Sequence, residues 1–286
     1  MAIRVTAIRD ADVGPVAKFL HAELNTAVAA GDWVRAMQVP WKADEPNHGY
    51  MLVDTAADRI VGAYLAFYSE REIDGRRERF CNLGAWCVRP EHRLNSVRLL
   101  TALLAQDGYH FTDFSPSGPV PALNARLGFR FLDTATVLLP NLPWPSWPAR
   151  VSVSCDPAVL RSTLTGAELE RYEDHAGTAA AHHVVLRSGG DWCYVVFRRD
   201  RRKGLPLFAS MLHVSNPPLF RRMVRPLSRH LLLRHRIPVS LVELRVCRRP
   251  PAGSVPLPSP RPKMVRTSLT DDRIDYLYSE LVCVAW

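Results

Sequence analysis

Apolar positions alternate and then fall at helical spacing along the opening of the chain. "IRVTAI" reads as a strand. "DADVGPVAKFLHAELNTA" sets Val16, Phe19, Leu20 and Leu24 on one helical face behind a capping Asp. "GYMLVDTAADRIVGAYLAFYSEREIDGRRERFCNLGAWCV" predicts three strands, the last two joined at Asp74-Gly75, a pair suited to the positive φ of a tight hairpin. A helix follows from Asn95 to Ala105, then the strand "YHFTDFS", a short helix around Pro121 to Leu127 and a strand from Phe129. The predicted order is β-α-βββ-α-β-α-β, a mixed α/β fold.

Two proline-rich runs punctuate this pattern. "PNLPWPSWPAR", 140–150, packs four prolines and two tryptophans into a stretch suited to neither helix interior nor central strand. It places a linker between a first domain, 1–139, and a second, 151–286; 286 residues suffice for two cores. "RRPPAGSVPLPSPRP", 248–262, reads as a long loop with polyproline II character.

The second half repeats part of the first: three strands turning at Gly189-Gly190 and Lys203-Gly204, a helix, then a strand. From Val88 to Phe111 is 23 residues and from Val214 to Val239 is 25, a spacing match that points to a duplicated fold. The intervening helix, "PPLFRRMVRPLSRHLLLRHR", sets Phe220, Met223, Val224, Leu227 and Leu231 on one face and Arg221, Arg222, Arg225 and Arg229 along another. Pro226 predicts a kink or two short helices. "DDRIDYLYSELVCVAW" predicts a capped turn and a final apolar strand, with Tyr276, Tyr278 and Glu280 either lining a cleft or finishing a sheet.

Composition, with 47% hydrophobic and 23% charged residues, is that of a folded globular chain. The net charge of +9 is uneven. Between Arg187 and Arg266 stand 18 Lys and Arg against Asp191, Asp200 and Glu243, a net of +15 that leaves −6 elsewhere. Such a field suits nucleic acid, a phosphorylated cofactor or an acidic carrier protein, but no nucleic-acid motif accompanies it. The turn "RRDRRKG", 198–204, is either a solvated hairpin end or a docking surface. Six cysteines show no CxxC and no Cys/His zinc spacing, so they read as reduced core thiols. His182 and His183 point to opposite faces of a strand and do not share a metal; no metal site is expected. The N-terminus carries Arg4, Arg9 and Asp10 without a signal-length apolar core, and no later run is long enough to span a membrane. A cytoplasmic chain without a membrane partner is expected.

With that element order, "VRPEHR" at the turn after the third central strand and "ARLGF" (Ala125 to Phe129) resemble the GNAT-type N-acetyltransferase superfamily. The first half resembles it by motif, the second by element order alone, implying two tandem GNAT-like domains with the second degenerate. The resemblance implies an acyltransferase dependent on acetyl-CoA or another acyl-CoA. Its strand before the turn parts from a neighbour so that the backbone of Trp86, Cys87 and Val88 takes the pantetheine arm. Its pyrophosphate turn falls on Arg93, Leu94, Asn95, Ser96, Val97 and Arg98.

Ser96 and Arg98 stand where the superfamily has glycines. Either a hydroxyl and a guanidinium replace backbone contacts to phosphate, or Arg93 and Arg98 are solvated helix-start charges. The strand before the turn offers Asn82 where a carboxylate base often stands, and Asn124 occupies the place of a general-acid Tyr. Ser115 lies near the cofactor sulfur, as proton relay or helix cap. The implied reaction is transfer of an acetyl or other short acyl group to an amine of a small-molecule acceptor whose pocket the second half shapes. The alternative is a non-catalytic module of this fold that binds nucleic acid or an acidic protein.

Overall fold

The computed structural model describes residues 3–145, 151–202 and 204–285. The chain divides into two compact units: Met1–Leu132 with Pro262–Arg273 and Tyr278–Trp286, and Asp133–Arg261 with Ile274–Leu277. Among the described residues each unit carries one seven-stranded mixed sheet.

The first unit opens with β1 (Ile3–Ala7), α1 (Val13–Glu23) and α2 (Ala30–Met37). In α1, Val13, Val16, Ala17, Phe19 and Leu20 are buried, the stripe expected from the spacing. Helix α2 was not legible because it starts at Ala29 without a side-chain cap; Trp33, Ala36 and Met37 hold it by burial. Then come β2 (Gly49–Asp54), β3 (Arg59–Ile73), β4 (Arg76–Val88), α3 (Ser96–Leu104), β5 (His110–Asp113), α4 (Val120–Arg126) and β6 (Arg130–Phe131). Asp74 and Gly75 both have positive φ, at 52° and 75°, and close the β3–β4 hairpin as expected. Strands β1 to β4 pair antiparallel in order, and β4 pairs parallel with β5.

The second unit contains β7 (Thr136–Pro140), β8 (Val151–Ser154), α5 (Pro157–Thr163), α6 (Ala167–His175), β9 (His182–Ser188), β10 (Asp191–Arg202) and β11 (Leu205–Val214). It continues with α7 (Pro217–Arg222), α8 (Val224–His235), β12 (Val239–Glu243), α9 (Leu244–Cys247) and β13 (Val255–Pro256). Strands β9, β10 and β11 pair antiparallel and β11 pairs parallel with β12, the same pattern as β2 to β5, so the repeat of spacing reflects a repeat of topology. The helical segment breaks at Met223 into two helices, and Pro226 sits in the first turn of α8, where its missing N–H is not needed.

Three expectations about connectivity are corrected. The boundary lies at Leu132/Asp133, not at 140–150. Strand β7 pairs with β12 and buries Val137 and Leu139 in the second unit, because that sheet needs a strand beyond β12 to cover its edge. Asn141 is then tied to Ile237 and Pro238 by its side chain and backbone N–H, at 2.9 and 2.7 Å; the end of the proposed linker, 146–150, lies outside the described residues. The proline-rich 248–262 is not wholly loop: β13 pairs with β7 at the sheet edge, where a proline is tolerated.

The chain then returns to the first unit. Strand β14 (Met264–Arg266) enters between β5 and β6, pairing antiparallel with both. The apolar C-terminal stretch is a helical turn rather than a strand: α10 (Glu280–Cys283) begins at Ser279, whose hydroxyl accepts from the Leu281 N–H. No helix of the described residues is long and apolar enough to cross a membrane.

Candidate active site

Strands β4 and β5 are paired from Phe80↔His110 to Leu83↔Asp113 and no further, while β4 stays paired with β3 out to Gly62↔Val88. Past Leu83 the register against β3 slips between Ala63/Leu65, a β-bulge, and Ala85 takes a φ of +56°. A non-glycine residue in this region is strained, and a bulge re-aims the strand. The backbone from Gly84 to Val88, including Trp86, Cys87 and Val88, therefore leaves the β5 ladder. The Trp86 ring itself stacks on buried Tyr64, 4.6 Å between centroids and 6° between planes. Burial raises the Cys87 thiol to about 11, so it is no thiolate nucleophile at neutral pH.

At the end of the shared ladder lies a polar cluster within an apolar core. Asp113 is 3% exposed; its carboxylate accepts from Asn124 Nδ2 at 2.8 Å and the Ser115 N–H at 3.3 Å. Burial raises its pKa to about 7, against the lowering effect of those two bonds. Ser115 Oγ donates to Glu280 Oε1 at 2.9 Å, and the Glu280 N–H donates to Asn82 Oδ1 at 2.9 Å. Asn82 Nδ2 in turn reaches Thr112 Oγ1 at 3.1 Å. Asn124 Oδ1, fully buried, has no hydrogen-bond partner among the described residues. The Asp113 and Glu280 charges add to burial in holding the Tyr64 phenol far above its usual range.

The structure thus gathers the three candidates Asn82, Ser115 and Asn124 around two acids, Asp113, which sequence reasoning did not single out, and Glu280. Asp113 closes the strand "HFTD", whose only acid it is, and this was the available signal. Glu280 had been left open between two roles; no local pattern carries it to Asn82 and Ser115.

Gly84 makes room for Glu280. A Cβ added there would lie 2.9 Å from Glu280 Cβ, 3.1 Å from its Cγ and 3.2 Å from Phe67 Cε2. Gly84→Ala should therefore push α10 away and cost about 1–3 kcal/mol in unfolding free energy. In a Glu280→Gly background the same change should cost clearly less, only what the remaining contact with Phe67 Cε2 demands, and equal costs in both backgrounds would show that Glu280 is not what Gly84 accommodates.

The turn after β4 is a 3-10 segment, Pro90–Asn95, running into α3. Arg93 is exposed, Leu94 is 99% exposed and Val97 is 41% exposed, while Asn95 and Ser96 are half-buried. Arg98 is engaged elsewhere: its Nη1 donates to the Ile3 carbonyl and to Asn95 Oδ1, both at 3.0 Å, tying α3 to β1.

In the second unit many of the basic residues serve the fold. Arg199 donates to the His235 carbonyl at 3.0 Å, Arg221 to the Cys247 carbonyl at 2.9 Å and Arg245 to the Ile274 carbonyl at 2.6 Å, while Arg261 pairs with Asp200 at 2.8 Å. Arg261 has its charge paired with an acid; the bonds to carbonyls position the others without removing their charge.

This arrangement, three antiparallel strands, a bulged fourth that parts from a parallel fifth, and a helix crossing between them, is the GNAT-type fold, present twice in the chain. No protein-family model matches the sequence, and no curated protein matches it. Solved structures do. A GCN5-related N-acetyltransferase from Anabaena variabilis is 11% identical, with 92% of this chain and 72% of that one covered at a TM-score of 0.57. One from Kribbella flavida is 13% identical over 92% and 70%, also at 0.57. The Saccharomyces cerevisiae N-myristoyltransferase, solved with myristoyl-CoA bound, is 10% identical over 92% and 82%, at 0.53. At these identities the likeness is one of fold.

Proposed function

We propose that the chain is an acyl-CoA-dependent acyltransferase that moves a short acyl group, such as acetyl, to an amine of a small molecule. The observation that carries this reading is the buried Asp113, raised to about 7, at the point where the bulged β4 leaves β5. Acyl-CoA supplies an acyl group activated as a thioester. The residues present fit it: main chain from Gly84 to Val88 is free of the β5 ladder, and Asn124 Oδ1 is an orphaned acceptor at the same place. Trp86, Cys87 and Val88 would hold the pantetheine arm. Arg93, Leu94 and Asn95 at the end of the 3-10 turn and Ser96 and Val97 at the start of α3 would face the phosphates, with Arg98 held back by its bonds to Ile3 and Asn95.

Asp113 is the base. With a pKa near the operating pH it is half ionised at neutrality and can take a proton from the acceptor's ammonium, freeing the amine to attack the thioester carbonyl; as the C–N bond forms and the C–S bond breaks, the second proton lost by the nitrogen goes to the departing CoA sulfur. Asn124 and the Ser115 N–H keep its two oxygens in place, and the Ser115 hydroxyl links it to Glu280. Asn82 positions the Glu280 backbone rather than acting on an acceptor.

Thermal unfolding with acetyl-, hexanoyl- and palmitoyl-CoA tests the cofactor, together with mass spectrometry for co-purified CoA. Acetyl- or hexanoyl-CoA should stabilise most, since the Tyr64–Trp86 stack fills the sheet face beside the bulge. Strongest stabilisation by palmitoyl-CoA would refute the short acyl group. No stabilisation by any of them would leave the non-catalytic binding module, in which the remaining exposed arginines of the second unit meet an acidic protein.

A further inference from the structure

Sequence spacing suggests no metal ligands, yet in the second unit Cys155, His230 and His235 converge: one ligand atom from each lies within 4.8 Å of the others. Cys155 leaves β8 toward α5, and both histidines lie on α8, His235 as its last residue. We propose that these three side chains form a zinc site that fastens the β8–α5 connection to α8, with a fourth position open to water.

The geometry carries this. The two imidazole rings sit 5.3 Å apart at 53°, tilted rather than stacked, with their ligand atoms and Cys155 Sγ close together. His230 Nε2 and His235 Nε2 are both shut from solvent and have no hydrogen-bond partner among the described residues. Buried ring nitrogens without partners are rare, and two side by side next to a thiol form a donor set that a borderline-soft cation satisfies. Tetrahedral zinc, with Zn–S about 2.3 Å and Zn–N about 2.0–2.1 Å, sets ligand atoms on the order of 3.5 Å apart, so a small side-chain rotation from the present spread completes the site.

The surroundings fit a site with one side open. His182 stands beside it, its ring 5.9 Å from that of His235 and stacked on Phe197 at 5.0 Å, so it forms a wall. His183 points to the other face and bonds the Tyr194 hydroxyl at 2.7 Å, as strand alternation requires. Cys155 is the one cysteine of the six that is not buried, so a metal can reach it. Arg199 and Arg234 act electrostatically on His235 and oppose a bare dication; the Cys155 thiolate offsets part of its charge. The pattern escaped the sequence because Cys155 is far from α8 along the chain and, although His230 and His235 have the H-x4-H spacing of half a zinc motif, no CxxC pair accompanies them.

The test uses the full chain, metal-free and without a histidine tag, with cobalt(II) as the optical probe. One equivalent should bind with a thiolate-to-cobalt charge-transfer band and the intense d–d bands of a tetrahedral centre, and zinc should displace it. Zinc should also raise the unfolding temperature and protect Cys155 from iodoacetamide by about tenfold or more, read on the Cys155 peptide by mass spectrometry. Cys155→Ser should abolish the charge-transfer band, and His230→Gln or His235→Gln should each weaken binding at least about tenfold. Absence of the charge-transfer band, equal alkylation of Cys155 with and without zinc, or unchanged binding in Cys155→Ser would each overturn the site. Should the histidine variants fail to fold, the band and the protection of the wild-type chain decide.

Discussion

Asp113→Asn should lower acyl transfer by about 10²–10⁴-fold and, above neutral pH, make the protein more stable. The first effect is the usual contribution of a positioned base. The second follows from the same burial. The folded-state pKa of Asp113, about 7, lies above its unfolded value near 3.9, so folding favours the protonated carboxyl. That stabilisation is fully present below about pH 4 and is lost as pH rises through 7; beyond it, keeping the buried carboxylate ionised costs at most about 4 kcal/mol. Asparagine is neutral throughout. It gives up one acceptor, about 1 kcal/mol, and retains a net gain of about 3 kcal/mol at pH 9.

Urea unfolding at pH 5 and pH 9 separates the cases. Wild type should lose stability between the two pH values at this site, and the variant should not. The wild-type kcat/KM should rise with pH to a plateau above about 7, while the residual rate of the variant should be flat over that range. A variant with wild-type rate and pH profile would remove Asp113 from the mechanism. Equal stabilities at pH 9 would remove the burial argument.

Ending the chain at Arg261 should abolish cooperative folding of the first unit. Strand β14 pairs on one side with Phe111, Thr112 and Asp113 and on the other with Arg130 and Phe131. Without it, buried backbone groups of β5 lose their partners at about 1–3 kcal/mol each. Met264 and Val265, both fully buried, add about 1.5–3 kcal/mol apiece. Even half of this sum rivals the 5–15 kcal/mol typical of a whole domain. A chain ending at Leu277 keeps β14 and loses α10, and should fold with lower stability. Hydrogen exchange on β5 amides reads both: native-like protection in the chain ending at Arg261 would contradict the role assigned to β14.

The first half was legible where local chemistry was strong. Asp74-Gly75 closes its hairpin, α1 buries its stripe, and the run "VRPEHR" lies at the turn between β4 and α3. Helix α2 was lost for want of a cap, and residues 151–181, which form β8, α5 and α6, gave no pattern strong enough to assign. The candidates Asn82, Ser115 and Asn124 proved to share one cluster, but Asp113 and Glu280 complete it, and Glu280 comes from beyond an entire second sheet.

Hydrophobic period and turn residues determine which segments become strands and helices, because those preferences are settled within a few residues. They also determined the repeat, since Val88 to Phe111 and Val214 to Val239 span the same strand-helix-strand unit in both halves. Tertiary structure decided the rest. Whether β7 extends the first sheet or the second, and whether β14 belongs to the half that precedes it, depends on which edge is left with unpaired N–H and C=O groups, a long-range condition that no window of sequence contains. The same holds for chemistry: the sequence supplied an ordinary aspartate in "HFTD", and only burial, against the lowering bonds from Asn124 and the Ser115 N–H, moved its pKa to about 7.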